Sequence, residues 1–470
     1  MTKKRKIIYI TIAAAIVIIA ALAIIFMPKA APQTVTEMLS TAQKYLVEMD
    51  YERAIAEFNK VIELDPMNAD AYLGLAEAYE KSGDVDKAVE TLEKGFELTG
   101  DERLQARIAL LNGENTDNAE VSETETSIDE TSAETESPEE FITIKGEQYS
   151  TRLTELTLAD LELTDSDIKE LNKMTALTYL NLCGNKISDI SALSGLTNLT
   201  DLNLSNNLIN DISALSWLTN LEDLWLNGNQ ISNISALSGL TNLTDLNLYN
   251  NQISDVNALS ELTNVTYLYL DENQISDINA LSKLTNVTYL CLNKNQISDI
   301  SALSGLTNLT DLNLNHNQIS DISALSELTD LTCLRLDDNQ ISNISSLAGL
   351  KNLTDLYIRF NQISDVSALS RLTNLTFLLL DDNQISDISA LSGLINLTDL
   401  NLYGNQITDI SALSGLTSLT DLNLSKNQIS NVNGLAGLTN LTNLYLYYNS
   451  ISESDIESLK SALPNCEINY

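Results

Sequence analysis

Leucines and isoleucines recur along most of the chain in a phrase of 22 residues, as in the copy at 199–218, LTDLNLSNNLINDISALSWL. Leu202 and Leu204 alternate with Asp201, Asn203 and Ser205, which predicts a short strand with leucine on one face only. Leu199, Ile209, Ile212, Leu215 and Leu218 add an apolar interior that one copy cannot bury by itself, so the copies must stack. One asparagine marks each copy. It falls at Asn185, Asn207, Asn229, Asn251, Asn273, Asn295, Asn317, Asn339, Asn361, Asn383, Asn405, Asn427 and Asn449, thirteen times in all. It lies where the chain turns out of the strand. Its amide offers two donors and an acceptor to the peptide groups freed there, which makes these asparagines a structural ladder. Asp211 or Ser213 then caps a short helical turn on the far side.

The ends of the array depart from the phrase. Leu156, Leu158 and Leu161 begin a first coil that reaches the regular series after 24 residues. Residues 141–149 are placed to cover it, and SDIESLKSALPNCEINY (454–470) predicts a closing helix and strand. A second period, of 34, runs through residues 35–100: Ala42 matches Ala76, Tyr45 matches Tyr79, Ala54 matches Ala88 and Phe58 matches Leu92. Alanines let paired helices approach, aromatics fill the gap between them, and Pro66 stops a helix. Residues 101–111 read as a capping helix.

At the start, Lys3, Lys4, Arg5 and Lys6 precede an uncharged apolar run over 7–26. As a helix this run spans about 30 Å, enough for the hydrocarbon core, and the basic cluster keeps residues 1–6 cytoplasmic. A cleaved signal peptide is the alternative, with Ala21 and Ala23 as the small residues of its site; the length of the run favours an anchor. Residues 112–140 carry 11 acidic groups and no basic one, so they form a disordered linker.

The pattern LxxLxLxxNxIxDIxxLxxLTN resembles the leucine-rich repeat, in the 22-residue form of internalin-like bacterial surface proteins. The resemblance implies a horseshoe with a parallel sheet on its concave side, and a role in adhesion. YERAIAEFNKVIELDP (51–66) and its echo at 84–100 resemble the tetratricopeptide repeat, with departures at Gly95 and Gly100. That resemblance implies a groove for a peptide or a second copy; a stiff spacer is the plainer alternative. The fold class is therefore an α/β leucine-rich-repeat solenoid at 141–470. It is preceded by an all-α tetratricopeptide-like pair of helical hairpins at 34–111 and an N-terminal transmembrane helix.

Charge narrows the partners. The chain carries −39, and residues 141–470 hold 13 basic and 37 acidic groups, so nucleic acid is excluded as a ligand. The cysteines Cys183, Cys291 and Cys333 fall in separate copies at least two coils apart. At about 4.8 Å per strand that is too far for a disulfide. His316 is the single histidine, and its neighbours Asn315 and Asn317 provide no general-base partner. No triad or phosphate loop is present, no metal or cofactor site is expected, and the chain is not read as an enzyme. The acidic pairs Asp271–Glu272, Asp337–Asp338 and Asp381–Asp382 read as solvated charge rather than calcium ligands.

If repeated positions hold the stack, specificity belongs to outward positions that vary. Two zones of the concave face vary. One holds Trp225, Tyr249, Tyr267, Tyr269 and Tyr289; the other holds Arg335, Tyr357, Arg359, Phe360, Phe377 and Leu379. Exposed aromatics and arginines on a rigid sheet are the usual material of binding hot spots. Against this, Arg359 lies in one column between Asp337 and Asp381 and can simply neutralise them. The expected protein is membrane-anchored, with the bulk of the chain outside the cell, gripping a protein or glycan. A cell-envelope scaffold working through the tetratricopeptide segment is the alternative.

Overall fold

The computed structural model describes residues 38–39, 41–42, 45–46, 51–99, 102–111 and 140–470. The expected membrane helix at 7–26 and nearly all of the acidic linker lie outside these residues. Among the described residues no helix is long and apolar enough to cross a membrane. The chain divides into two compact units, Met1–Thr126 and Ser127–Tyr470.

The first unit contains helices α1 (Tyr51–Leu64), α2 (Ala69–Lys81), α3 (Val85–Thr99) and α4 (Glu102–Leu111). Helix α1 ends just before Asp65, whose backbone the following Pro66 steers away from helical angles. Asn68 caps α2, its side chain accepting from the Ala71 amide at 3.0 Å. Ala54, Ala88, Phe58 and Leu92 are wholly buried, as the alignment of small and large positions requires. Gly95 departs from the repeat for a steric reason: a Cβ there would stand 2.6 Å from the Tyr72 ring.

The second unit opens with an antiparallel hairpin, Phe141–Ile144 against Glu147–Ser150, whose Ile142 and Ile144 close the near end of the core. A parallel sheet of fifteen short strands follows, from Glu155–Thr157 to Glu467–Asn469, each strand beside its sequence neighbour. In the regular coils register sets each residue beside the one 22 positions on, as with Leu202 and Leu224, so equivalent positions form straight columns. The middle leucine of each regular strand is buried, and the interior is one continuous apolar column. Behind each strand but the last two the chain makes a single 3-10 turn, for example Ser213–Trp217. Asp211 rather than Ser213 caps it, accepting from the Ser213 amide at 2.9 Å. Helix α5 (Glu453–Ala462) and the last strand, Glu467–Asn469, close the far end.

The first coil differs from expectation. Leu161 is 46% exposed, and Leu163 is the buried residue. Counted from its own strand, Leu163 falls in the column of Ile187 and Leu161 in the column of the asparagines, where an aliphatic side chain has nothing to bond; the two extra residues of this coil lie after Leu163.

Candidate interaction surface

The asparagine ladder joins each coil to the one before it. The Asn207 amide oxygen accepts from the Ile187 N–H at 3.1 Å, while its nitrogen donates to the carbonyls of Leu182 (3.0 Å) and Leu204 (3.1 Å). The set recurs at each step through Asn427 and Asn449. Asn185 begins it, accepting from both Leu161 and Leu163. Each amide satisfies peptide groups of two coils, so a turn that would strand buried polar atoms is made without that cost.

The residue before each ladder asparagine adopts a left-handed backbone, with φ of 55° at Asn206 and 53° at His316. Gly184, Gly228 and Gly404 occupy the same column. This turn carries its side chain off the sheet and onto the rim. Phe360 stands there, with φ 52° and 49% exposed, and so does not lie on the concave face where it was expected.

The other candidates occupy outward positions on the strands or directly after them. In the first zone only three of the five gather: the Tyr289 ring lies 5.0 Å from Tyr269 and 6.4 Å from Tyr267. Trp225 stands two strands away, and Tyr249 lies beside Glu272 and Asp271; no ring contact joins either to the trio. In the second zone Tyr357 and Phe377 stack at 5.0 Å, and the Arg335 guanidinium lies over Tyr357 at 5.1 Å. Leu379 pairs in register beside Tyr357. Between the zones the outward positions shrink to Cys291, Asp311, Asn313 and Cys333. Both cysteines are free and buried; burial pushes the Cys291 thiol up to about 12 and Cys333 up to about 11, so both stay neutral. Burial also raises Tyr289 to about 12.

The two arginines differ sharply. Arg359 donates from Nη2 (2.8 Å), Nε (3.1 Å) and its backbone N–H (2.8 Å) to the buried carboxylate of Asp337. Its ion pair is with Asp337; Asp381 feels its charge only from a distance. Arg335 makes no ion pair among the described residues; it is half-buried beside Cys333 and Tyr357.

Stacking also revises the acidic pairs and the histidine. In each pair the rim carboxylate has a side-chain partner from another coil: Glu272 meets Lys294, Asp338 meets His316 Nδ1 at 2.7 Å, and Asp382 meets Lys426 at 3.2 Å. His316 thus has a carboxylate partner 22 residues on, which its sequence neighbours did not reveal. The preceding carboxylates sit deeper. Asp381 is 6% exposed, its Oδ1 meets no donor, and burial raises it to about 6. Burial likewise raises Asp271 and Asp245. Among the described residues no group of three or more His, Cys, Asp or Glu gathers to hold a metal.

A third aromatic group escaped the sequence reading. Tyr403, Tyr445 and Tyr447 hold outward columns near the closing end and Tyr448 the rim column, 83% exposed. The phase that places Tyr357 places them too, since they lie in regular copies ahead of the cap at 454–470.

The family model for leucine-rich repeats matches residues 175–217, 219–261, 241–283, 263–305, 285–327, 329–371, 373–415 and 417–461, more than half of the chain. The chain belongs to the leucine-rich-repeat family, in its internalin-like form. The tetratricopeptide-repeat model matches residues 46–111 of this internalin-like protein. An internalin (InlF) from Listeria monocytogenes is 41% identical over 64% of the chain and 89% of its own, with a TM-score of 0.62. A leucine-rich-repeat protein of Leptospira interrogans is 26% identical over 68% of the chain and 90% of its own, also with a TM-score of 0.62. The functional domain of InlJ from Listeria monocytogenes, which includes a cysteine ladder, shares the fold at 23% identity, with a TM-score of 0.58 over 68% of the chain and 73% of its own. No curated protein sequence matches the chain.

Proposed function

We propose that this internalin-like protein is a non-catalytic binding protein of the bacterial cell surface, held by its N-terminal helix and gripping a protein ligand on the outward face of the sheet. One observation carries the reading. A parallel sheet is normally covered on both faces, yet this one keeps aromatic rings on the face no segment of its own unit covers, with Trp225 38% and Tyr267 47% exposed. The likeness to internalins supports a surface role, and adhesion is one form it takes. The basic residues before the apolar run support the anchored orientation.

Panning a randomised peptide library on the full chain tests the binding face. The wild type should recover a related set of sequences. A chain carrying Tyr357→Ser and Phe377→Ser should recover none while its melting temperature moves little, because neither side chain belongs to the interior. Equal recovery by both chains removes the sheet face from the reading. Protease treatment of intact expressing cells tests placement: failure to shed the solenoid removes the surface assignment.

A further inference from the structure

The two aromatic zones flank a stretch of short outward side chains that contains a single cation. Across the strands the outward column runs Tyr269, Cys291, Asn313, Arg335, Tyr357, Leu379. The adjoining column runs Tyr289, Asp311, Cys333, Asp355, Phe377. Tyr289 and Phe377 each lie two strand steps from Arg335, roughly 10 Å on either side. The side chains between Tyr289 and Arg335 are short, so the walls stand above a low floor.

We infer that Arg335 anchors a carboxylate of an extended acidic peptide segment of the partner protein, seated between Tyr289 and the Tyr357–Phe377 pair. This rests on the binding role of the sheet face proposed above. The solenoid holds 13 basic and 37 acidic groups, and its outward and rim cations are otherwise engaged: Arg359 with Asp337, Lys294 with Glu272, Lys426 with Asp382. Among the described residues Arg335 alone on this face is half-buried, held over an aromatic ring and without a carboxylate in ion-pair contact, Asp311 acting on it only from farther away. The guanidinium lies over the Tyr357 ring and beside the Tyr357 hydroxyl and the Cys333 thiol, both neutral partners, so a planar, two-oxygen acceptor offers its N–H groups a charged partner that neither supplies. The neighbouring thiols are neutral, so Cys333 meets Arg335 only as an uncharged hydrogen-bond partner, which a carboxylate outcompetes. Asp311 and Asp355 flank Cys333, each accepting from the preceding threonine hydroxyl, at 3.2 Å and 2.6 Å. Their charge repels a polyanion while leaving room for one carboxylate. The span from Tyr289 to Phe377 is four strand steps, about 19 Å, which matches about six residues of extended peptide with the acidic residue near its middle.

The same panning decides it. Recovered peptides should share a glutamate or aspartate, or a free C-terminal carboxylate, with aromatic or branched residues about three positions away. Synthesising a recovered peptide with Gln for Glu, or with an amidated C-terminus, separates the two carboxylate sources. The change that removes the anchoring carboxylate should weaken binding by roughly tenfold or more. Arg335→Gln should erase that difference, and Arg335→Lys should restore part of it; both chains should still bind the apolar residues. Recovered sequences with no acidic preference, an undiminished Glu-to-Gln ratio in Arg335→Gln, or oligogalacturonate displacing the peptide more strongly than its own Glu form would overturn the inference while sparing the binding face. Failure of the wild type to recover any sequence would overturn both.

Discussion

Strand Asp399–Asn401 and strand Tyr357's neighbour Phe377–Leu379 sit side by side on one backbone. Both bury the same central leucine, Leu400 and Leu378. Beside them the ladder amides Asn383 and Asn405 make matching hydrogen bonds. Outward, one strand shows Asp399 and Asn401, the other Phe377 and Leu379. Interior and ladder are therefore indifferent to what the outer columns carry. A solenoid can vary its recognition surface without disturbing its stack, because the outer side chains meet other outward positions of their own and adjoining coils rather than the interior.

The sharpest way to break this contrast is to cut the ladder. Asn295→Ala removes the acceptor of the Ile275 N–H and the donors to Leu270 and Leu292. It should cost roughly 3–5 kcal/mol in chemical denaturation, since each stranded buried group costs about 1–3. A loss under about 1 kcal/mol would mean water replaces the amide and the ladder is not what holds the turns.

Next comes the one outer position that has become structural. Arg359→Ala leaves the Asp337 carboxylate buried without its cation and should cost roughly 2–4 kcal/mol, while Arg359→Ala with Asp337→Asn recovers part of that loss. An unchanged denaturation midpoint for the single variant would return Arg359 to the binding candidates.

Asp381 tests the contrast with the opposite sign. Its folded-state carboxyl titrates at about 6, above the ordinary value of 3.8, so the folded form holds its proton longer than the unfolded chain. Stability should fall as pH rises from about 4 to about 6 and stay lower above that. Asp381→Asn should therefore stabilise the protein at neutral pH by roughly 1–3 kcal/mol, the gain shrinking towards pH 4. A gain that does not depend on pH would show that the carboxyl is not the cause. The smallest expected stability change belongs to Tyr357→Ser with Phe377→Ser, about 1 kcal/mol from the lost ring contact, against a complete loss of peptide recovery.

Most of the architecture was open to reading along the chain because the repeat states it many times over. The period, strand phase and buried leucines need only local alternation and the requirement that apolar faces be covered. Leu161 misled because it puts a leucine at the asparagine position; the count from Leu156 assigns Leu163, not Leu161, to the inward isoleucine column. Gly95 looked like a lapse from the tetratricopeptide pattern until Tyr72 supplied the ring that excludes a Cβ. The outward columns were legible as positions, yet their members did not all behave alike. Phe360 moved to the rim through its left-handed backbone, and Tyr445, Tyr447 and Tyr448 went unread in the closing coil.

By itself the sequence determined that coils of 22 residues stack, which face of each strand is dry and where each turn finds its amide, since these depend on residues within one repeat and its copy. Only the tertiary structure decided that Arg359 is spent on Asp337 while Arg335 is not, that His316 meets Asp338, and that Asp381 Oδ1 lacks a donor. Those outcomes depend on side-chain reach between coils, and two columns with identical spacing in the chain can close or miss a hydrogen bond by a difference of about an ångström in that reach.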